Sequence, residues 1–443
     1  MGRLHSVEDL PMVDLPEDYL TNVGPFLAGM YEEHGPIFRA GSYAPAFGGR
    51  DIIYMVGPEA NRFVLAGGRL KFSHHEGWGR TLGVIDLIGN GLLTMDGEEH
   101  DRHRRMMNPA FAIRYMDRYL PLMNRIIRER TADWAERHEV DLYEEARKIT
   151  FDVAAEALVG LQTGPEVDRF RELYYGLLNL GMMVETQEEY EEGLRRLQTD
   201  LYGLLLPKIH ERRARPADDV LGMLVRARGD EGNTLSDEQL IAHTNILLIA
   251  GHETSTRLSA WLLYLLSEHP DYLGRVLGEQ DSLLGDDAEP TLADIRRMKV
   301  LDDALSEAER LYPPVANGPR GVVEDFEFGG YQIPAGAFVF YSIAAAHRLP
   351  SLWEEPDKFD PDRFAPPREE HKKKPYSLVG FGGGPRICIG INFAQVEVKA
   401  MVSRVLRDFR LETVPGQDLV QFYRGTGLPL HGIKTRVTKR LPA

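Results

Sequence analysis

Phe381-Gly382-Gly383-Gly384-Pro385-Arg386-Ile387-Cys388-Ile389-Gly390 holds the only cysteine of a 443-residue chain, at the end of a glycine-rich loop and just ahead of a helical pattern from Asn392 to Lys399. A sulfur at a helix N-terminus meets free backbone N–H groups and the positive end of the helix dipole, which favour a thiolate over a thiol. The glycines at 382 to 384 and 390 let the backbone approach a large flat ligand, and Arg386 adds a cation. Taken without its neighbours, a lone cysteine is equally an inert buried residue. A phosphate loop fits poorly: Pro385 interrupts the run, no Lys-Ser/Thr pair follows, and there is no G-x-G-x-x-G match. One cysteine also excludes an intrachain disulfide and a multi-cysteine zinc site.

Outward from this loop the chain reads mostly as helix, with polar-apolar periodicity over about 115–160, 165–213, 236–268 and 296–312. Ile52 to Val56, and the stretch from Val322 to Tyr341 with its Gly329-Gly330 and Pro334-Ala335-Gly336 breaks, predict short strands joined by turns. Between about 344 and 387 periodicity fades into a Pro-, Asp- and Lys-rich path, long enough for a loop to imply a functional or cofactor-bound role. The expectation is a mainly α fold with a small β-rich region, in one domain over residues 1–443. Hydrophobic residues make up 43% of the chain, enough for a large core. A net charge of −16 works against binding to nucleic acid or anionic lipid. No apolar run approaches the roughly 20 residues of a transmembrane helix, and the N-terminus has no apolar signal region, so a cytoplasmic protein without a membrane anchor is expected.

Phe381, Gly384, Arg386, Cys388 and Gly390 fit the F-x-x-G-x-R-x-C-x-G haem-binding motif, and on them the chain resembles the cytochrome P-450 family. The resemblance implies a P-450 fold and haem iron held by the Cys388 thiolate, a ligation known for that family rather than deduced from spacing. Phe381 would shield the sulfur, and nearby backbone N–H groups would tune its donor strength.

Three further motifs follow the family's order. Thr244 to Thr256, TNILLIAGHETST, is an apolar helix interrupted by a small pair, then by an acid and a hydroxyl. Thr254 can bond back to the Ala250 carbonyl, bending the helix and opening a groove beside Gly251; alone, the motif also fits a polar patch on a surface helix. It resembles the family's A-G-x-[DE]-T motif, which implies that Ala250 and Gly251 lie against the haem, that Thr254 handles dioxygen and its water, and that Glu253 feeds protons. His252 is given no role. Glu307 and Arg310, three apart on one helix face, can pair; the resemblance implies that Arg363, from Phe359-Asp360-Pro361-Asp362-Arg363-Phe364, locks them as support for the haem loop. Glu309 departs from the small or apolar residue expected between them. His100 and Arg104 fit the family's H-x-x-x-R helix and, with Arg320 and Arg386, would meet the two haem propionates. Zinc at His100 and His103, or at His74-His75, lacks a convincing third ligand.

FGGGPRICIG and EAERLYPP are similar to bacterial members of the microsomal-like branch. The resemblance implies haem b as cofactor and a haem-thiolate monooxygenase inserting one atom of dioxygen into an apolar substrate of lipid, retinoid or terpenoid kind. With no flavin or nicotinamide domain and no iron–sulfur cysteine cluster in the chain, electrons would come from a ferredoxin or flavodoxin with its reductase. The resemblance places the substrate pocket at Leu82, Val84, Ile85, Leu87, Leu177, Met182, Met183, Ala250, Val315, Ala316 and Leu428, apolar residues that plain core would also supply. A peroxygenase or isomerase on the same fold would need no electron donor, though the intact Glu253-Thr254 pair speaks against it. A haem-thiolate sensor without catalysis is the third reading.

Overall fold

The computed structural model describes residues 4–42, 49–229, 232–285 and 289–440, with the side chains of Met182 and Arg424 outside the description. The helices that build the site are α1 (Gly97–Phe111), α2 (Leu142–Val159), α3 (Pro165–Met183), α4 (Gln187–Ala214), α5 (Asp237–Glu268), α6 (Lys299–Leu311) and α7 (Ile391–Asp408). Each begins for a local reason. Asp141 caps α2 by accepting the N–H groups of Tyr143 and Glu144, and Ser236 and Gln239 close a reciprocal capping box on α5. Helix α5 is apolar around most of its circumference, the pattern of a helix surrounded by protein, and it packs on α2, α6 and α7. The periodic stretch over 165–213 is two helices rather than one. Thr186 stops it by capping α4, taking the Glu189 N–H at 3.2 Å while Glu189 takes the Thr186 N–H at 3.0 Å. The stretch over 115–160 is likewise divided, by a turn and the short strand Glu139–Asp141.

A six-stranded sheet flanks the helices, built from β1 (Met12–Val13), β2 (Ile37–Ala40), β3 (Ile52–Val56), β4 (Phe72–Ser73), β5 (Asn317–Val322) and β6 (Phe338–Ser342) in the spatial order β1-β2-β3-β6-β5-β4. β3 and β6 run parallel, with Ile53 opposite Val339, and β5 lies antiparallel to β6. Every residue of Ile52–Val56 is buried, as a continuous apolar run predicts for a strand covered on both faces. Phe326–Phe328 and Tyr331–Ile333 form the predicted hairpin around Gly329 and Gly330. The main core lies among α2, α5 and α7, and smaller cores cover the two faces of the sheet. Residues 347–387 hold only short helical turns. No helix among the described residues is long and apolar enough to cross a membrane.

Candidate active site

The Cys388 loop enters from Val379 and leaves into α7. Its N–H donates to the Phe381 carbonyl at 2.9 Å, closing the loop on itself, and the Gly390 N–H is directed at the sulfur. Gly384 is a strict requirement: its φ is +61°, and a Cβ there would lie 2.3 Å from the Leu65 carbonyl oxygen. This glycine therefore answers to packing on the outside of the loop. Cys388 lines a cavity of about 300 Å³ and is exposed to that space. Burial pushes its thiol up and Glu309 adds to the shift, while the Gly390 N–H and Arg104 oppose it.

Helix α5 contributes another wall of the same cavity. Thr254 Oγ1 donates to the Ala250 carbonyl at 2.7 Å, the back-bond its spacing predicted, and a Cβ built on Gly251 meets nothing within 4 Å. Ala250, Gly251, Thr254 and Ser255 all face the space. Glu253 does not. Its carboxylate is clamped on another side of the helix by Arg147, 3.0 Å away, by Arg257 and by His252 at 3.0 Å. Burial works to raise this carboxyl, but Arg257, His252 and Arg147 together hold it well below its usual range. His252 packs on Phe151 and Tyr175, away from the cavity.

At the rim, α1 supplies His100 and Arg104, β5 supplies Arg320 and the cysteine loop supplies Arg386. Arg386 already pairs with Asp96 at 3.2 Å and with the Met95 carbonyl, and burial lowers it to about 10. Arg104 and Arg320 have no ion pair among the described residues, and burial lowers both. Arg320 donates to the Pro319 carbonyl and lies over Tyr341. His100 is neutral, pushed down to about 4 by burial and by Arg386. Two guanidiniums without ion pairs, Arg320 buried and Arg104 half-buried, facing a cavity that also holds a cysteine sulfur, fit a flat metal-bearing group with two carboxylates. A zinc site does not fit: among the described residues no three His, Cys, Asp or Glu side chains converge.

Beneath the loop, Arg310 donates to Glu307 through Nε at 2.7 Å and Nη2 at 2.9 Å, and Arg363 reaches Glu307 at 3.1 Å and Glu370 at 2.8 Å. Glu307, Arg310 and Arg363 are fully buried. Arg310 also ties down the carbonyls of His347 and Pro356, joining α6 to the long path that leads to Cys388.

Of the apolar pocket residues expected from the sequence, Val315 and Ala250 line the cavity. Leu82 packs on the sheet core, Val84 and Leu87 on the helical core, and Ile85 against Gly79. Leu177 and Ala316 are core residues, Leu428 packs on the main core, and Met183 is 72% exposed. The Met182 side chain lies outside the described residues. For Leu82 to Leu87 the reason is the segment His75–Thr81, a helical turn that presents His74 and Trp78 to the cavity in place of the residues after it. Trp78 was missed, although its flanking glycines signal it: a Cβ on Gly77 would lie 2.7 Å from the Pro319 carbonyl oxygen. Leu92, Leu158, Ile246 and Leu247 also line the space and carry no signal beyond helical periodicity.

The family model described as Cytochrome P450 matches residues 21–438. A putative cytochrome P450 120 of Synechocystis sp. is 34% identical over 404 residues, covering 90% of this chain and 88% of that protein. A sterol 14alpha-demethylase of Mycolicibacterium vanbaalenii is 30% identical over 382 residues, 82% of each. The solved structure of retinoic acid bound cyanobacterial CYP120A1 superposes with a TM-score of 0.85 at 31% identity, covering 99% of this chain and 100% of that one. With a cysteine loop, a notched helix and unpaired arginines around one cavity, and with these relatives along nearly its whole length, the chain belongs to the cytochrome P450 family of haem monooxygenases.

Proposed function

We propose that the protein is a single-domain haem b enzyme over residues 1–443 that inserts one oxygen atom from dioxygen into an apolar substrate of lipid, retinoid or terpenoid kind. Its electrons come from a ferredoxin or flavodoxin with its reductase, in the cytoplasm. The observation that carries this reading is the single cavity in which Cys388, Thr254 and the unpaired Arg104 and Arg320 meet apolar walls. The relative solved with retinoic acid supports the retinoid-like option.

Haem, when bound, supplies the iron centre that activates dioxygen. Cys388 would hold its iron, framed by Phe381, Gly384 and Gly390, while His100, Arg104, Arg320 and Arg386 would meet its carboxylates. Glu307, Arg310 and Arg363 brace the loop from below. Ala250 and Gly251 leave room beside α5. Thr254, its own hydrogen committed to Ala250, accepts a hydrogen bond at Oγ1 and so holds a water or a protonated oxygen at that point of the cavity. Glu253 carries protons only when its side chain turns out of the Arg147–Arg257 clamp. Trp78, Leu158 and Leu247 add apolar walls that exclude water.

The test is turnover of retinoic acid and of a neutral terpenoid by the haem-loaded protein with a ferredoxin, its reductase and dioxygen. Oxygenated product that requires all three is expected. Product with hydrogen peroxide alone, and none with dioxygen and the donor, would overturn the reading in favour of a peroxygenase.

A further inference from the structure

Glu309 is the residue of the Glu307–Arg310 turn whose side chain the family pattern leaves without a purpose. Two positions beyond Glu307, it is turned about 200° around α6, away from the Arg310–Arg363 clamp. It joins the wall of the haem cavity instead. The residue is 7% exposed and has no ion pair among the described residues; its carboxylate lies against Gly380, whose backbone N–H is the one group that draws it down. Apposition is close enough to dictate the neighbour: a Cβ on Gly380 would lie 2.3 Å from Glu309 Oε1 and 2.7 Å from its Cγ. The preceding amide, Val379, donates to His347 Nε2 at 3.0 Å, and the His347 carbonyl is in turn held by Arg310. At the start of the run into Cys388, the Val379 N–H is thus held by the residue that α6 secures, and Gly380 packs directly on α6.

Burying a carboxyl without a cation costs stability that an apolar residue of the same size would not cost. Burial pushes Glu309 up to about 8, and only the Gly380 N–H opposes the shift. Local features kept against stability concentrate where a site is being shaped. We propose that Glu309 is a positioning residue for Cys388: by holding the Gly380 amide it fixes the loop that presents the sulfur to the haem iron. The inference rests on the assignment of Cys388 as the iron ligand.

The test compares haem-loaded wild type, E309Q and E309L after reduction and addition of carbon monoxide, following the absorption band of the thiolate-ligated complex at constant pH. Glutamine retains an oxygen acceptor for the Gly380 N–H, and leucine does not. E309L is expected to lose the band about tenfold faster than wild type, as the band of a neutral or displaced ligand grows in, while E309Q stays within about twofold. E309L matching wild type, or E309Q failing as badly as E309L, would overturn the assignment. Should E309L not fold with haem, E309M, which keeps the chain length without an oxygen, is read by the same criteria. A wild type that never shows the thiolate band would instead overturn the ligation on which the inference rests.

Discussion

Thr254 keeps a lone-pair acceptor at the cavity because its hydrogen is spent within the helix, and this arrangement defines what its removal does. In Thr254→Ala the helix and Cys388 remain, but the acceptor at that point of the cavity is gone. Reductant consumption is expected to continue while product per reductant falls by about tenfold or more, with peroxide accounting for the difference. Unchanged coupling would contradict the role. That Cys388, His100, Arg104 and Thr254 belong to one site was legible in the sequence because they sit in short, fixed spacings, and all four line one cavity. The clamp on Glu253 was not, since Arg147 lies 106 residues away and only the packing of α2 on α5 brings the two together. Trp78 had a local signal in its flanking glycines, but its aim at the cavity depends on Gly77 packing against β5, far away in sequence.

Helix α6 shows how one element serves the site from two faces, with Glu307 and Arg310 bracing the loop's approach and Glu309 the loop itself. The Glu307–Arg310–Arg363 cluster is fully buried, so removal of one partner leaves an uncompensated charge. Arg363→Ala is expected to cost about 3–5 kcal/mol, read as a lower denaturant midpoint, and to release haem during purification. A variant that keeps both its midpoint and its haem would show the cluster to be dispensable. The pairing was legible from a three-residue spacing, but its burial was not, because a surface pair has the same spacing and little worth. Among elements, the buried strand Ile52–Val56 and α5 announced themselves by continuous apolar runs. The break between α3 and α4 passed unnoticed in the periodicity, although Thr186 and Glu189 carry the capping-box signature.

Across the whole molecule, buried groups of opposite kind set the pH dependence of stability. His347 is neutral, pushed down to about 3 by burial and by Arg310, whereas Glu397, on α7, is pushed up to about 8 by burial, with Ser255 opposing. The unfolded chain protonates histidine near 6.5, so His347 contributes stability that is lost as pH falls from about 6.5 toward 3, at about 1.4 kcal/mol per pH unit. Glu397 acts in the other direction: its contribution is complete below about 4.5 and is lost as pH rises toward 8, with a similar slope. Denaturant titrations at several pH values should show His347→Gln flattening the acid arm and Glu397→Gln the alkaline arm; identical profiles in both variants would contradict the assignment of neutral buried forms. That balance could not be read from sequence, because neither residue announces its burial locally. Thiolate ligation of haem, by contrast, depends on a loop that did. It is tested most directly by the absorption difference spectrum of the reduced protein with and without carbon monoxide, for wild type and Cys388→Ser. A strongly red-shifted Soret band in the wild type that disappears in the variant is the predicted result. A haem-containing wild type without that band, or a variant that retains it, would contradict the account.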